Sequence, residues 1–245
     1  MEFINDPQFW IGLIQIVWIN IILSGDNAVV IALAARSLPP AQQRKAVLFG
    51  SGAAVVLRIA LTVVAAKMMA LPFLQIVGGA LLLWIGLQLF GNDEEGEAKG
   101  TSGGLLVAVR TILIADLVMS LDNVIAIAGA AQGAAAEHHL LLVVFGLVIS
   151  IPIIIWGSQL VIKLMDRFPV IITLGAMLLG WIAGTMLITD QFLIANVLPQ
   201  TWLDRSGVQI DIISVVKYTC GIVGALLVLA AGKALAARKS AATPE

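Results

Sequence analysis

Seven long apolar runs constrain this chain more than any other feature. They cover about residues 9–35, 45–69, 72–91, 105–131, 140–163, 170–189 and 212–236, each bounded by charge, Pro or Gly. Every run is about 20 residues or longer, the length a helix needs to cross the ~30 Å hydrocarbon layer of a bilayer. In lipid only helices and closed barrels satisfy all their backbone groups, and barrel strands would be alternating stretches of about ten residues. The runs do not alternate. The pattern predicts an all-α membrane protein with seven transmembrane helices. Composition agrees, because 60% hydrophobic and 12% charged residues leave too little polar surface to keep a 245-residue globule wet.

Charge orients the helices. With the N-terminus outside, the inner connections receive Arg36, Arg44, Lys45, Lys99, Lys163, Arg167, Lys233, Arg238 and Lys239, and the outer ones only Lys67, Arg205 and Lys217. The excess of Lys and Arg on one side predicts N-out, C-in. Glu2 and Asp6 precede the first run with no basic residue, so the first helix is expected to be retained rather than cleaved as a signal peptide. A net charge of −1 provides no basic face for nucleic acid. The single cysteine, Cys220, sits within an apolar run, which leaves no intrachain disulfide or thiolate zinc site. Residues 92–104 are acidic and glycine-rich and read as a solvated cytoplasmic linker, with cation gathering as the alternative. The outer connection 190–211 carries Trp202, Asp204, Arg205 and Asp211 and resembles an interfacial loop.

The chain also repeats itself. Residues 14–36 laid over 110–132, a shift of 96, superpose Ser24-Gly25-Asp26-Asn27 on Ser120-Leu121-Asp122-Asn123. Phe49-Gly50 then falls on Phe145-Gly146 and Gly79-Ala80 on Gly175-Ala176, and one extra residue near Gly180 brings Trp84-Ile85 onto Trp181-Ile182. Each copy spans three helices, residues 9–91 and 105–189. Three is odd, so the second copy enters the bilayer from the opposite side. The expected architecture is two inverted three-helix repeats within one transmembrane domain, with a seventh helix, 212–236, outside them.

Three carboxylates fall inside the apolar runs: Asp26 in the first, Asp116 and Asp122 in the fourth. Each costs about 2.5–3.5 kcal/mol near the midplane on insertion scales, so they need partners or a wet cavity. The repeat sets Asp26 opposite Asp122 and Asn20 opposite Asp116. In a continuous helix positions i and i+6 differ by about 240° and 9 Å, so Asp116 and Asp122 would not share a face. A break at Ser120-Leu121, matching one at Ser24-Gly25, would turn both inward and free carbonyl ligands. The alternative is that Asp26 and Asp122 are helix caps. As a site, Asp26, Asp116 and Asp122 with Asn27 and Asn123, and with Asn20, Ser24 and Ser120 as accessory groups, form an all-oxygen set suited to magnesium, calcium or manganese. Arg58, in the middle of the second run, needs an acidic partner. Three Asp and one Arg leave a formal −2, which a divalent ion would balance, and protons are a candidate counter-ion. Whether Arg58 gates or only neutralises stays open.

Other residues read as structural. His138 and His139 are assigned to a solvated outer loop, with metal admission or release as the alternative. Arg110 is expected to snorkel, Pro152 to kink its helix, and Ala176, Gly180 and Gly184 to form a small-residue packing face. Trp10, Trp202 and Tyr218 have the character of interface anchors.

The stretch Asn20-Ile21-Ile22-Leu23-Ser24-Gly25-Asp26-Asn27, continued by Ala28-Val29-Val30-Ile31-Ala32-Leu33-Ala34 and paired with Asp116-Leu117-Val118-Met119-Ser120-Leu121-Asp122-Asn123, resembles the TerC family of bacterial integral membrane proteins, in particular its compact YjbE-like branch. The likeness covers nearly all seven helices and rests on two linked S-x-D-N motifs. It implies membership of the lysine-exporter superfamily, whose members share a 3+3 inverted repeat. It also implies manganese as the transported ion, export across the bacterial cytoplasmic membrane, and binding by Asp26, Asp116 and Asp122. The residues themselves indicate no more than a hard divalent cation. Gly25 departs from the Leu of the commoner pattern, which implies a looser first half-helix and puts selectivity in question. No enzymatic activity and no organic cofactor are expected. Two competing readings are an intramembrane aspartyl protease, whose Gly-x-Gly-Asp signature is incomplete here, and a non-transporting membrane partner for the metalation of exported enzymes.

Overall fold

The computed structural model describes residues 10, 11, 13, 14, 17, 18, 25–68, 72–91, 102–131, 139–204 and 211–242. The first six of these are helical. From Gly25 the order is α1 (Gly25–Ala35), α2 (Pro40–Met68), α3 (Leu74–Gly91), α4 (Ser102–Ala131), α5 (His139–Arg167), α6 (Val170–Ile188), the short α7 (Gln191–Asn196) and α8 (Ser214–Ala242). A two-residue hairpin, β1 (Leu203–Asp204) with β2 (Asp211–Ile212), sets Leu203 opposite Ile212 just before α8. Apart from it and one 3-10 turn, the described elements are α-helices.

Several helices outrun the apolar stretches that announce them. α2 begins at Pro40 rather than 45, α4 takes in the last three residues of the expected linker, α5 runs on to Arg167, and α8 continues to Ala242. Hydropathy marks where lipid ends, whereas Gln, Arg, Lys and Ala are strong helix formers that carry a helix beyond it. Proline suits the first turn because its missing N–H has no partner there anyway, and the Pro39 carbonyl accepts from Gln42 and Gln43 at 2.8 and 2.9 Å. The remainder of the linker, residues 92–101, lies outside the described residues.

A larger correction concerns α4. The expected break at Ser120-Leu121 is absent: α4 is a single 30-residue helix that passes through both. Neither residue is Gly or Pro, and the Ser120 hydroxyl is satisfied by side chains rather than by an opened backbone. Three other hydroxyls are satisfied within their own helices: Thr111 donates to the Val107 carbonyl, Ser158 to Ile154 and Thr219 to Val215.

The chain divides into two compact units, Met1–Ala66 with Lys99–Leu164, and Lys67–Ala98 with Met165–Glu245. Each takes helices from both sequence repeats. In the first unit α2 and α4 run parallel, since Gly50 meets Ile112 and Arg58 meets Asp116 and Ser120. There α1 runs against α4, with Leu38 beside Gly104 and Asp26 near Asp116.

In the second unit α3 and α6 are antiparallel: Gly79 lies against Ala183 and Leu187, and Gly86 against Leu179 and Ala176. α8 packs antiparallel on α6 through facing glycines, Gly180 with Gly224 and Gly184 with Cys220 and Gly221. Ala176, Gly180 and Gly184 are therefore the close-packing face anticipated from their spacing. At the start of α3 and α7, Asp190 is fully buried and accepts four backbone N–H groups. Its Oδ1 takes Phe192 at 2.9 Å and Phe73 at 3.3 Å, and its Oδ2 takes Gln75 at 3.1 Å and Ile76 at 3.4 Å. This single side chain caps two helices, and it holds Phe73 in a left-handed conformation (φ 65°) against the Phe192 ring, 4.3 Å away.

Apolar groups face outward as well as inward. Trp84 is 57% exposed, Leu106 and Trp156 71% and Val215 72%. Such an exterior is costly in water and natural in lipid. Val170–Asn196 and Ser214–Leu235 are long and apolar enough to cross a membrane, and Gly25–Ala35 and Leu74–Leu89 are shorter apolar helices.

Candidate cation site

The polar centre of the first unit is built on α1, α2 and α4. Ile112, Asp116 and Ser120 lie one turn apart along α4, and all three are buried. Facing them on α2 is Arg58, 1% exposed, among the largest fully buried side chains of the described residues. Its Nη2 lies 2.5 Å from Asp116 Oδ1, and its Nε donates to Ser120 Oγ at 2.9 Å. Ser120 Oγ in turn donates to Asp116 Oδ2 at 3.1 Å. The three side chains close a ring in which both carboxylate oxygens are engaged. This ring is what lets a full charge sit inside apolar helices: the pair cancels, and the hydroxyl fills the remaining acceptor.

Asp26, at the start of α1, lies within coulombic range of both Arg58 and Asp116. Its Oδ1 accepts from the Asn27 backbone N–H at 2.8 Å, and Asn27 itself is 2% exposed. Gly25 precedes it, and among the described residues an added Cβ there would meet nothing within 4 Å.

Of the residues singled out from sequence, Asp26, Asn27, Arg58, Asp116 and Ser120 are brought into one neighbourhood. Asn20, Ser24 and His138 lie outside the described residues, as do the side chains of Asp122, Asn123 and His139. Because α4 is unbroken, the backbone positions of Asp116 and Asp122 are about 240° and 9 Å apart. Among the described residues no group of three or more His, Cys, Asp or Glu side chains converges. Trp10, Trp202 and Tyr218 are all exposed, and Tyr218 stacks on Trp181 at 5.9 Å. Arg110 is exposed near the start of α4. Sequence reasoning missed Asp190, whose only sequence signal is an acidic residue at the end of an apolar run followed by the helix-forming Gln191-Phe192-Leu193.

Helices that turn large apolar side chains outward as well as inward, around a buried ion pair, are those of an integral membrane protein. The chain belongs to the TerC family of integral membrane proteins, whose model matches residues 5–240. It is 45% identical over 186 residues to the uncharacterized membrane protein YjbE of Bacillus subtilis, covering 76% of this chain and 83% of that one. It is 30% identical over 195 residues to the inner membrane protein YoaE of Escherichia coli, which covers 71% of this chain but only 36% of YoaE. The E. coli inner membrane protein YgdQ is 26% identical over 184 residues, 68% of this chain and 75% of that one. No solved structure matches the chain.

Proposed function

We propose that the protein carries a divalent metal cation across the bacterial cytoplasmic membrane, with Asp26 and Asp116 as the core of the site and Asn27, Asp122 and Asn123 beside it. The observation that carries this reading is the nearness of two carboxylates in one unit with a single guanidinium between them, which offsets only one of the two charges. Fixed charge is retained in an apolar bundle at a cost that structure alone does not require, and it commonly marks an ion pathway. Carboxylate and amide oxygens suit hard cations. The family resemblance points to manganese and to export, and the naming of E. coli relatives as inner membrane proteins supports the location.

The antiparallel pairing of α1 with α4 and of α3 with α6 supports the inverted repeat, since these are the helices that the repeat makes equivalent. A protease of the aspartyl type needs two carboxylates facing each other across a shared proton, whereas both Asp116 oxygens are occupied by Arg58 and Ser120.

The test is Mn2+ flux into proteoliposomes along an imposed gradient, with Mg2+, Ca2+ and Zn2+ as competitors. Flux above protein-free liposomes, abolished in Asp26→Asn and Asp122→Asn, is expected. Flux unchanged in both variants would reduce these aspartates to helix caps. Mn2+ binding without flux would instead favour a metal-handing membrane partner.

A further inference from the structure

Both oxygens of Asp116 are taken. A metal ion ligated by this carboxylate needs at least one of them, and its coordination sphere has no room for a guanidinium nitrogen 2.5 Å from the same oxygen. Arg58 cannot simply retreat into water, because it is 1% exposed and approaches Asp116 from a neighbouring helix within the apolar bundle. Its Nε is further held by Ser120 Oγ, which also bonds Asp116 Oδ2, so that withdrawing the guanidinium disturbs three hydrogen bonds at once.

We propose that Arg58 is a tethered stand-in for the transported cation: it occupies Asp116 while the site is empty and must be displaced for the site to load. The proposal rests on the reading of Asp116 as a cation ligand and gives Arg58 a defined part in it.

The physical consequence is a threshold. An incoming ion competes with a positive charge that is covalently held in place and therefore present at high local concentration. A monovalent ion offers Asp116 no more charge than Arg58 already supplies, and it lacks the matching two-point fork of the guanidinium. A divalent ion offers twice the charge. Exchange then selects for divalent ions through the strength of the resident competitor rather than through the size of the cavity. The carboxylate never stands bare in the membrane, which lowers the barrier to returning empty.

The experiment measures Mn2+ affinity of the full-length protein in lipid nanodiscs, by calorimetry or by the Mn2+ paramagnetic signal, for wild type, Arg58→Lys and Arg58→Gln. Removing the competitor should tighten Mn2+ binding, by about tenfold or more in R58Q given the strength of a close charge at low dielectric. R58K keeps a charge but not the fork, and should fall between the two by a few-fold. In R58Q, 100 mM-range K+ should also begin to compete with Mn2+, as it does not in wild type. A purely structural Arg58 would give the opposite sign, with weaker binding as the site loosens. Should R58Q fail to fold, R58K alone decides: affinity equal to or weaker than wild type overturns the proposal. If wild type binds Mn2+ but neither variant binds it more tightly, the stand-in role falls while the cation site survives. If wild type binds no Mn2+ at all, both readings fall.

Discussion

Arg58 on α2 and Asp116 on α4 meet at 2.5 Å across 58 residues of sequence, and each is buried. Their opposite charges make the pair tolerable, and breaking it is worse than lacking it. Asp116→Ala should cost about 3–5 kcal/mol by leaving an uncompensated guanidinium, while the double variant Arg58→Leu/Asp116→Leu should cost less than that single change. Thermal unfolding in detergent, followed by size-exclusion chromatography, reads both. A double variant less stable than Asp116→Ala would mean that the pair contributes more than mutual neutralisation.

Asp190 predicts a second stability effect in a different place. Replacing it with Ala removes the acceptor for four N–H groups at two helix starts, at about 0.5–2 kcal/mol for each cap. Asp190→Asn keeps one acceptor oxygen and should lose less. Hydrogen exchange at Gln75, Ile76 and Phe192 would localise the loss, and unchanged protection in Asp190→Ala would show that these amides have other partners.

The glycine contact between α6 and α8 predicts a steep dependence on side-chain size. A Cβ at Gly184 would run into the Cys220 carbonyl and one at Gly224 into the Gly180 carbonyl, both backbone atoms that cannot turn aside. Gly184→Ala and Gly224→Ala should each cost about 1–3 kcal/mol or more. Gly25→Ala is the control, because nothing stands within 4 Å of its added methyl. There the expected change is a gain of up to about 1 kcal/mol from helix propensity. Equal loss at all three positions would rule out close packing as the cause.

Topology gives the fourth prediction. The Lys and Arg distribution predicts that Glu245 lies in the cytoplasm. A fluorescent protein fused after Glu245 should mature and fluoresce, while an alkaline phosphatase fusion at the same place should be inactive. The reverse pattern would turn every helix over.

Much of this was legible beforehand. Apolar runs of membrane length gave the helices, because in lipid the backbone leaves few alternatives. Cost of burial alone required an acidic partner for Arg58. What sequence could not supply was which one, since pairing across 58 residues depends on how α2 and α4 cross. The repeat was informative and also misleading. It aligns Asp116 with Asn20, which suggests that an amide would serve at 116, but the same shift of 96 aligns Arg58 with Ile154, a buried aliphatic residue. The position equivalent to Arg58 therefore carries no cation, which fits an amide at position 20 and a carboxylate at 116. The unbroken α4 escaped prediction for a similar reason. A break would be needed only to turn Asp116 and Asp122 to one face, whereas Asp116 finds its partner on a face of its own.

The backbone contact of α6 with α8 fixes the register of the two helices. No side chains lie between Gly180 and Gly224, or between Gly184 and Gly221, that could rotate to let one helix slip along the other. A slip of one residue would press the Trp181 ring, already close against Gly221, into the neighbouring turn. The two helices are thus held together as a double rod, and α3 lies beside them where Leu83 and Leu87 pack against Ala176 and Val228. The helix that the sequence repeat leaves out is thereby locked to the last helix of the second copy, so α6 cannot shift along its axis without carrying α8 with it.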